Sequence, residues 1–270
     1  MSIVLMYHSL YEGEDTSAID DEDLPYAVSK DSFIQQLDLI SQRLSGIYDN
    51  AEPDKVVITF DDGHVSNLHI AAPLLKERGL CAYFFITTGF VDSRPGFMNA
   101  SEVRELSECE GMIVGSHGVT HRFFNDMRPE EVRKELSESK VLLEKLTNHP
   151  CESMSFPGGR YNMGVLKQMT AAGYVQWFGS DVGMVNMSEC FGNAGPNKDS
   201  SALLLPMMGK KPLKRVAIRR TTQLDEFKRM IGPDKSYYRS QVCRSQAKKL
   251  VQKTLGNRLY YGLYKSVSAR

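Results

Sequence analysis

Asp61-Asp62-Gly63 places two adjacent carboxylates directly after an apolar run, and His117 and His121 set two imidazoles four residues apart after another. Carboxylate and neutral imidazole are ligands for a zinc-like cation. Two histidines and one aspartate fill three positions of a tetrahedral ion and leave the fourth open to water. Each motif also has a plainer reading. Asp-Asp-Gly is turn chemistry, and a His-x-x-x-His pair that turns helically can mark a solvated helix face. Together they are more specific, because the ends of two buried parallel strands converge on one rim of a sheet, where α/β enzymes keep their chemistry. The other aspartate then has a separate task as an unligated base near the attacking water, an effect of about 10²–10⁴ in rate. His64, His69 and His149 read as surface or structural residues.

The elements that must position these groups are legible in the hydrophobic pattern. Ile3 to Tyr7, Val56 to Phe60 and Ala82 to Thr88 are short apolar runs suited to buried strands. Between the second and third, Val65, Leu68, Ala72 and Leu75 recur at helical spacing and Gly79 supplies a stop, giving a parallel strand-helix-strand unit. A short helix over 101–108, a strand at Met112 to Val114 and a longer helix opened by Pro129 repeat the pattern. A helix ending near Gly173, a strand from Val175 to Phe178, a loop over Gly192 to Ser201 and a last strand from Arg215 to Arg220 complete it. Such alternation predicts an α/β barrel or an open parallel sheet.

The 270 residues, 41% hydrophobic and 24% charged, can bury a full core, which excludes disorder and collagen-like repeats. Five scattered cysteines form no Cys-x-x-Cys pair, which argues against a disulfide framework or a thiolate zinc site. The first ten residues carry no Lys or Arg ahead of an apolar run, and no stretch approaches the roughly 18 apolar residues of a membrane span. The expectation is a soluble cytoplasmic protein. The zero net charge hides an asymmetry, since Lys210 to Arg270 holds 17 Lys and Arg against three acids.

Three segments in order resemble the polysaccharide deacetylases with a NodB homology domain, carbohydrate esterase family 4: Thr59 to Gly63, Ser116 to His121, and Phe156 to Asn162. The opening Leu5-Met6-Tyr7-His8 and the strand Tyr83 to Gly89 fit as well, so the likeness runs over about residues 3 to 222. The resemblance implies a distorted (β/α) barrel of about seven parallel strands, with a catalytic domain at 1–232 and a basic helical extension at 233–270. By similarity Asp62, His117 and His121 hold one divalent metal, usually zinc, with cobalt or nickel as alternatives. Asp61 is the general base. The backbone N–H of Gly158, after the motif proline Pro157, falls where an oxyanion donor is expected, although a Gly-Gly pair is also simple turn chemistry.

The family's usual aromatic after the motif proline is Gly158 here, and the sequence departs from the family pattern at two further positions. The arginine that orients the catalytic aspartate, two residues before the motif proline, is replaced by Ser155, and Arg160 is the candidate to pair with Asp61 instead. A late histidine, the family's proposed general acid, has no counterpart, because no histidine follows His149. The acid is then Asp61 itself after protonation, or His8 at the end of the first strand, for which a structural role also stands. The implied activity is N-deacetylation of a glycan or of a lipid- or nucleotide-linked amino sugar. The alternatives are O-acetyl esterase action and a catalytically silent glycan-binding or membrane-associated scaffold. The basic, tyrosine-containing 235–270 segment suits peripheral contact with an anionic membrane face or packing against the acidic body. No specific nucleic-acid partner is expected, and the sequence does not specify an oligomeric state.

Overall fold

The structure is a computed structural model and describes residues 2–17, 19–44, 56–185, 211–232 and 234–247. In chain order the elements are β1 (Ile3–Tyr7), β2 (Leu10–Tyr11), β3 (Val28–Ser29), α1 (Lys30–Leu44), β4 (Val56–Phe60), α2 (Ala72–Glu77) and β5 (Ala82–Ile86). There follow α3 (Ala100–Glu108), β6 (Met112–Ser116), α4 (Pro129–Thr147), β7 (Ser153–Ser155), α5 (Met163–Ala171), β8 (Gln176–Phe178), β9 (Val216–Ala217), α6 (Leu224–Ile231) and α7 over 235–247. Seven strands form one sheet in the order β8-β7-β6-β5-β4-β1-β9. Every neighbouring pair in it is parallel.

Strand periodicity divides the core into two layers. Ile3, Leu5 and Tyr7 of β1, Val56, Ile58 and Phe60 of β4, and Ala82, Phe84 and Ile86 of β5 belong to the larger cluster, which the helices cover. The alternate residues Val4, Val57, Tyr83 and Phe85 form a second cluster with Phe178, Val185 and Leu213 on the concave side. Both faces are therefore buried, which is why these strands read as unbroken apolar runs. Gly115 is required on the inner face, since a Cβ there would lie 2.4 Å from Ser153 Oγ and 2.7 Å from the Phe85 ring.

The segment before β9 curls the sheet toward closure. Leu213 makes a parallel bridge to Phe178 at the β8 edge, its N–H donating to Trp177 O at 2.7 Å, while Val216 and Ala217 pair with β1 at the other edge. Seven parallel strands in a curled α/β sheet agree with the distorted barrel expected from the resemblance. The last two strands are shorter than the sequence suggests. Residues 67–71 form a π-helical turn leading into α2 rather than one regular helix. The loop expected over 192–201 lies outside the described residues, as do Leu250 to Tyr264 of the basic extension. In α7, Tyr237 and Tyr238 are buried, and Tyr238 donates its hydroxyl to Met230 O at 2.6 Å.

Candidate metal centre and catalytic site

Residue parity along β4 carries Asp61 onto the inner face with Val57 and Thr59, and its N–H continues the ladder to Tyr7 O at 2.9 Å. The chain then turns sharply, with φ +75° at Asp62 and +88° at Gly63. Aspartate tolerates the left-handed region better than most side chains. The turn splays the two carboxylates, so that Asp61 faces the barrel interior and Asp62 faces the loop after β6.

Asp62 Oδ1 lies 3.3 Å from His117 Nε2 and 3.1 Å from His121 Nε2. One ligand atom from each residue lies within 4.8 Å of the other two. His117 Nδ1 sits 2.8 Å from the carbonyl oxygen of Ser155. A carbonyl only accepts, so Nδ1 carries a proton and the ring is oriented with Nε2 toward Asp62, the second-shell arrangement of a metal-ligating histidine. Asp62 Oδ1 is buried and receives no bond of hydrogen-bond geometry from the described residues. A buried carboxylate oxygen without a well-formed hydrogen bond, facing two imidazole nitrogens at 3.3 and 3.1 Å, suits a cation, so the residues fit the implied divalent metal. Burial acts to raise the Asp62 carboxyl, but His121 and His117 outweigh it and hold it well below the usual carboxylate range. His121 has a side chain 35% exposed, which leaves one flank of the site open to solvent.

The two histidines do not share a helix face, as their spacing allowed. Residues 117–121 form an irregular loop with φ +80° at Gly118 and +59° at His121, and the rings approach with centroids 5.1 Å apart.

Asp61 is 3% exposed and is gripped by Arg215, whose Nη1 and Nη2 donate to Oδ1 and Oδ2, each at 2.7 Å. The guanidinium is itself fully enclosed: Nε donates to Gly179 O at 2.7 Å, Nη1 to Thr59 Oγ1 at 3.0 Å and Nη2 to Ser155 Oγ at 2.7 Å. Ser155 Oγ donates in turn to Asp61 Oδ2 at 3.0 Å. Burial acts to raise the Asp61 carboxyl, yet the facing Arg215 charge, helped by His117, keeps it below its ordinary value. An ionised, oriented carboxylate beside a metal-type ligand set is equipped to take a proton.

This corrects the expected Arg160–Asp61 pair. Both oxygens of Asp61 are occupied by Arg215, and the Arg160 guanidinium instead lies 4.3 Å from the centroid of the Phe123 ring. Ser155, small and buried, leaves room for a guanidinium arriving from the other side of the barrel. Gly158 adopts φ +59° at the exposed rim, where a Cβ would meet Phe123 Cε1 at 2.4 Å, so the backbone passes close beneath that ring.

A small pocket opens beside the two aspartates, lined also by His8, Ser9, Asp20 and Asp23. The His8 ring lies tilted against Tyr26 with centroids 4.7 Å apart, and among the described residues its buried Nδ1 has no hydrogen-bond partner. Burial lowers its pKa despite both aspartates, so the ring is neutral at pH 7. Asp23, which the sequence reading passed over, is pushed up to about 6 by burial, with the Asp62 charge adding to the rise.

The polysaccharide deacetylase family model matches residues 48–177, which hold the aspartate pair, both histidines and Ser155. YxkH of Bacillus subtilis (strain 168), carried provisionally as a polysaccharide deacetylase, is 28% identical over 173 residues, covering 63% of this chain and 61% of that protein. The match thus spans about three fifths of the length of this curated relative. Among solved structures, the Streptococcus pyogenes deacetylase PplD in complex with acetate superposes with a TM-score of 0.65 at 22% identity, over 86% of this chain and 98% of that one. IcaB from Ammonifex degensii gives 0.61 at 17% identity, over 87% and 96%. These two likenesses establish the fold. Through the matched segment and the motifs it contains, residues 48–177 of the chain are similar to the polysaccharide deacetylase family.

Proposed function

We propose that this protein, through a catalytic domain spanning residues 1–232, removes acetyl groups from an N-acetylated carbohydrate. The observation that carries this reading is the convergence of Asp62, His117 and His121 within 4.8 Å, beside an Asp61 held by two 2.7 Å bonds from Arg215. Asp62, His117 and His121 would hold one divalent ion, zinc first and cobalt or nickel as alternatives. When bound, such an ion supplies Lewis acidity, polarising an acyl oxygen and acidifying water.

The protein's own residues do the rest. Asp61, ionised and immobile, takes the proton from the water that attacks the acyl carbon. The Gly158 N–H, at the exposed rim, donates to the oxygen that becomes negative. Proton return to the leaving nitrogen falls to Asp61 rather than His8, because a buried neutral imidazole holds no proton to spare at pH 7. His8 Nδ1, unpartnered among the described residues on the pocket wall, is placed to hydrogen-bond the sugar.

The test is acetate release by the metal-loaded protein from N-acetylglucosamine oligomers and from an O-acetylated polysaccharide. Release chiefly from the N-acetylated oligomers is expected. Release only from the O-acetylated polymer would make the protein an esterase, and none from either would favour a silent glycan-binding protein.

A further inference from the structure

Glu135 sits on α4, in the element that follows the histidine loop, and is 6% exposed. Its carboxylate faces the loop joining the two histidines. Val119 N–H donates to Oε2 at 2.6 Å, Thr120 N–H to the same oxygen at 3.0 Å, and Thr120 Oγ1 to Oε1 at 2.6 Å. The loop carbonyls are taken from the opposite side, Gly118 O by Thr88 N–H at 3.0 Å and Val119 O by Gly89 N–H at 2.8 Å. Gly118 N–H donates to Ser116 Oγ at 3.1 Å. Gly118 is fitted against the carboxylate, since a Cβ there would stand 3.0 Å from Glu135 Oε2.

The loop ends at His121 in the left-handed region, a conformation that a non-glycine residue holds only when its surroundings over-determine it. A helical turn through 117–121 would direct the Val119 and Thr120 amides at preceding carbonyls, and Glu135 supplies the competing acceptor. It is a charged one, so its bonds are stronger than neutral ones. We infer that Glu135 is a positioning residue of the metal centre: by holding Val119 and Thr120 it sets where His121 Nε2 points. The inference rests on the ligand set proposed above and extends it to a residue that touches neither metal nor substrate.

Zinc affinity, measured by chelator competition together with the zinc-induced rise in melting temperature, tests it on the whole chain. Glu135→Leu leaves two backbone donors unsatisfied and is expected to weaken zinc binding about 10- to 100-fold, the range for lost outer-shell partners. Glu135→Gln should fall between Leu and wild type, because its amide oxygen still accepts both N–H groups while the Thr120 hydroxyl turns to accept from the amide nitrogen. If the Leu variant does not fold, Glu135→Asp decides, since it keeps the charge but withdraws it by one methylene, and it too should bind zinc more weakly. A purely structural role would lower the melting temperature of every variant while leaving the zinc-induced rise intact. Wild-type zinc affinity in a folded Leu or Asp variant overturns the inference alone. A wild-type protein without zinc affinity overturns the ligand set and this inference with it.

Discussion

Asp61→Asn lowers acetate release by about 10²–10⁴-fold, the usual contribution of a positioned general base, and leaves the bound metal in place. The amide cannot accept the proton, whereas the Asp62, His117 and His121 atoms do not include Asp61 and should keep their arrangement. The substitution also replaces one charge-assisted contact to Arg215 by an amide nitrogen facing the guanidinium, so some loss of stability accompanies the loss of rate. The measurement is single-turnover acetate release alongside metal content of the same preparation. Activity retained within a few fold would remove Asp61 from the role of base.

The second large effect is expected at Arg215. Removing one partner of a buried ion pair costs about 3–5 kcal/mol, because the remaining charge is stranded, and here both side chains are enclosed, at 0% and 4% exposure. Arg215→Met should therefore melt at a distinctly lower temperature. Arg215→Lys keeps the charge but not the two-pronged grip and should lose roughly 10²-fold in kcat, the cost of misplacing a reacting group by about an ångström. The pH dependence separates positioning from folding. In the wild type the guanidinium overrides burial and keeps Asp61 below its ordinary pKa, so the base is ionised at neutral pH and activity falls only as acid protonates it. The same depressed pKa adds stability that is present above the unfolded carboxyl's pKa and lost as pH falls through the folded one. Without Arg215, burial prevails and the acid limb of the rate profile moves to higher pH. An unmoved limb in a folded Arg215→Met would contradict the assignment.

The strands were legible because burial on both faces turns them into contiguous β-branched and aromatic runs. The candidate site residues were legible because each pair is local: Asp61 with Asp62, and His117 with His121. Arg215 was not legible. It lies 154 residues from Asp61 in the chain, and its partner is decided by the curl of the sheet that brings the Leu213 segment across to β8. In the sequence it is one cation among many in a basic segment. Its one local signal, standing directly before β9, gains meaning only when that strand is seated beside β1. Glu135 was hidden for a similar reason, being a buried acid among the exposed acids of an amphipathic helix. The α1 helix carried an ordinary signal in Phe33, Leu37 and Ile40, all buried, while the helical reading of the histidine pair failed because tertiary acceptors outcompeted the local helix.

The most direct test of the whole account is the metal content of purified protein, wild type against the His117→Ala, His121→Ala double variant. One divalent ion per chain in the wild type and essentially none in the variant is the predicted result. Equal metal content in the two, with both proteins folded, would contradict the ligand set on which the proposed chemistry stands.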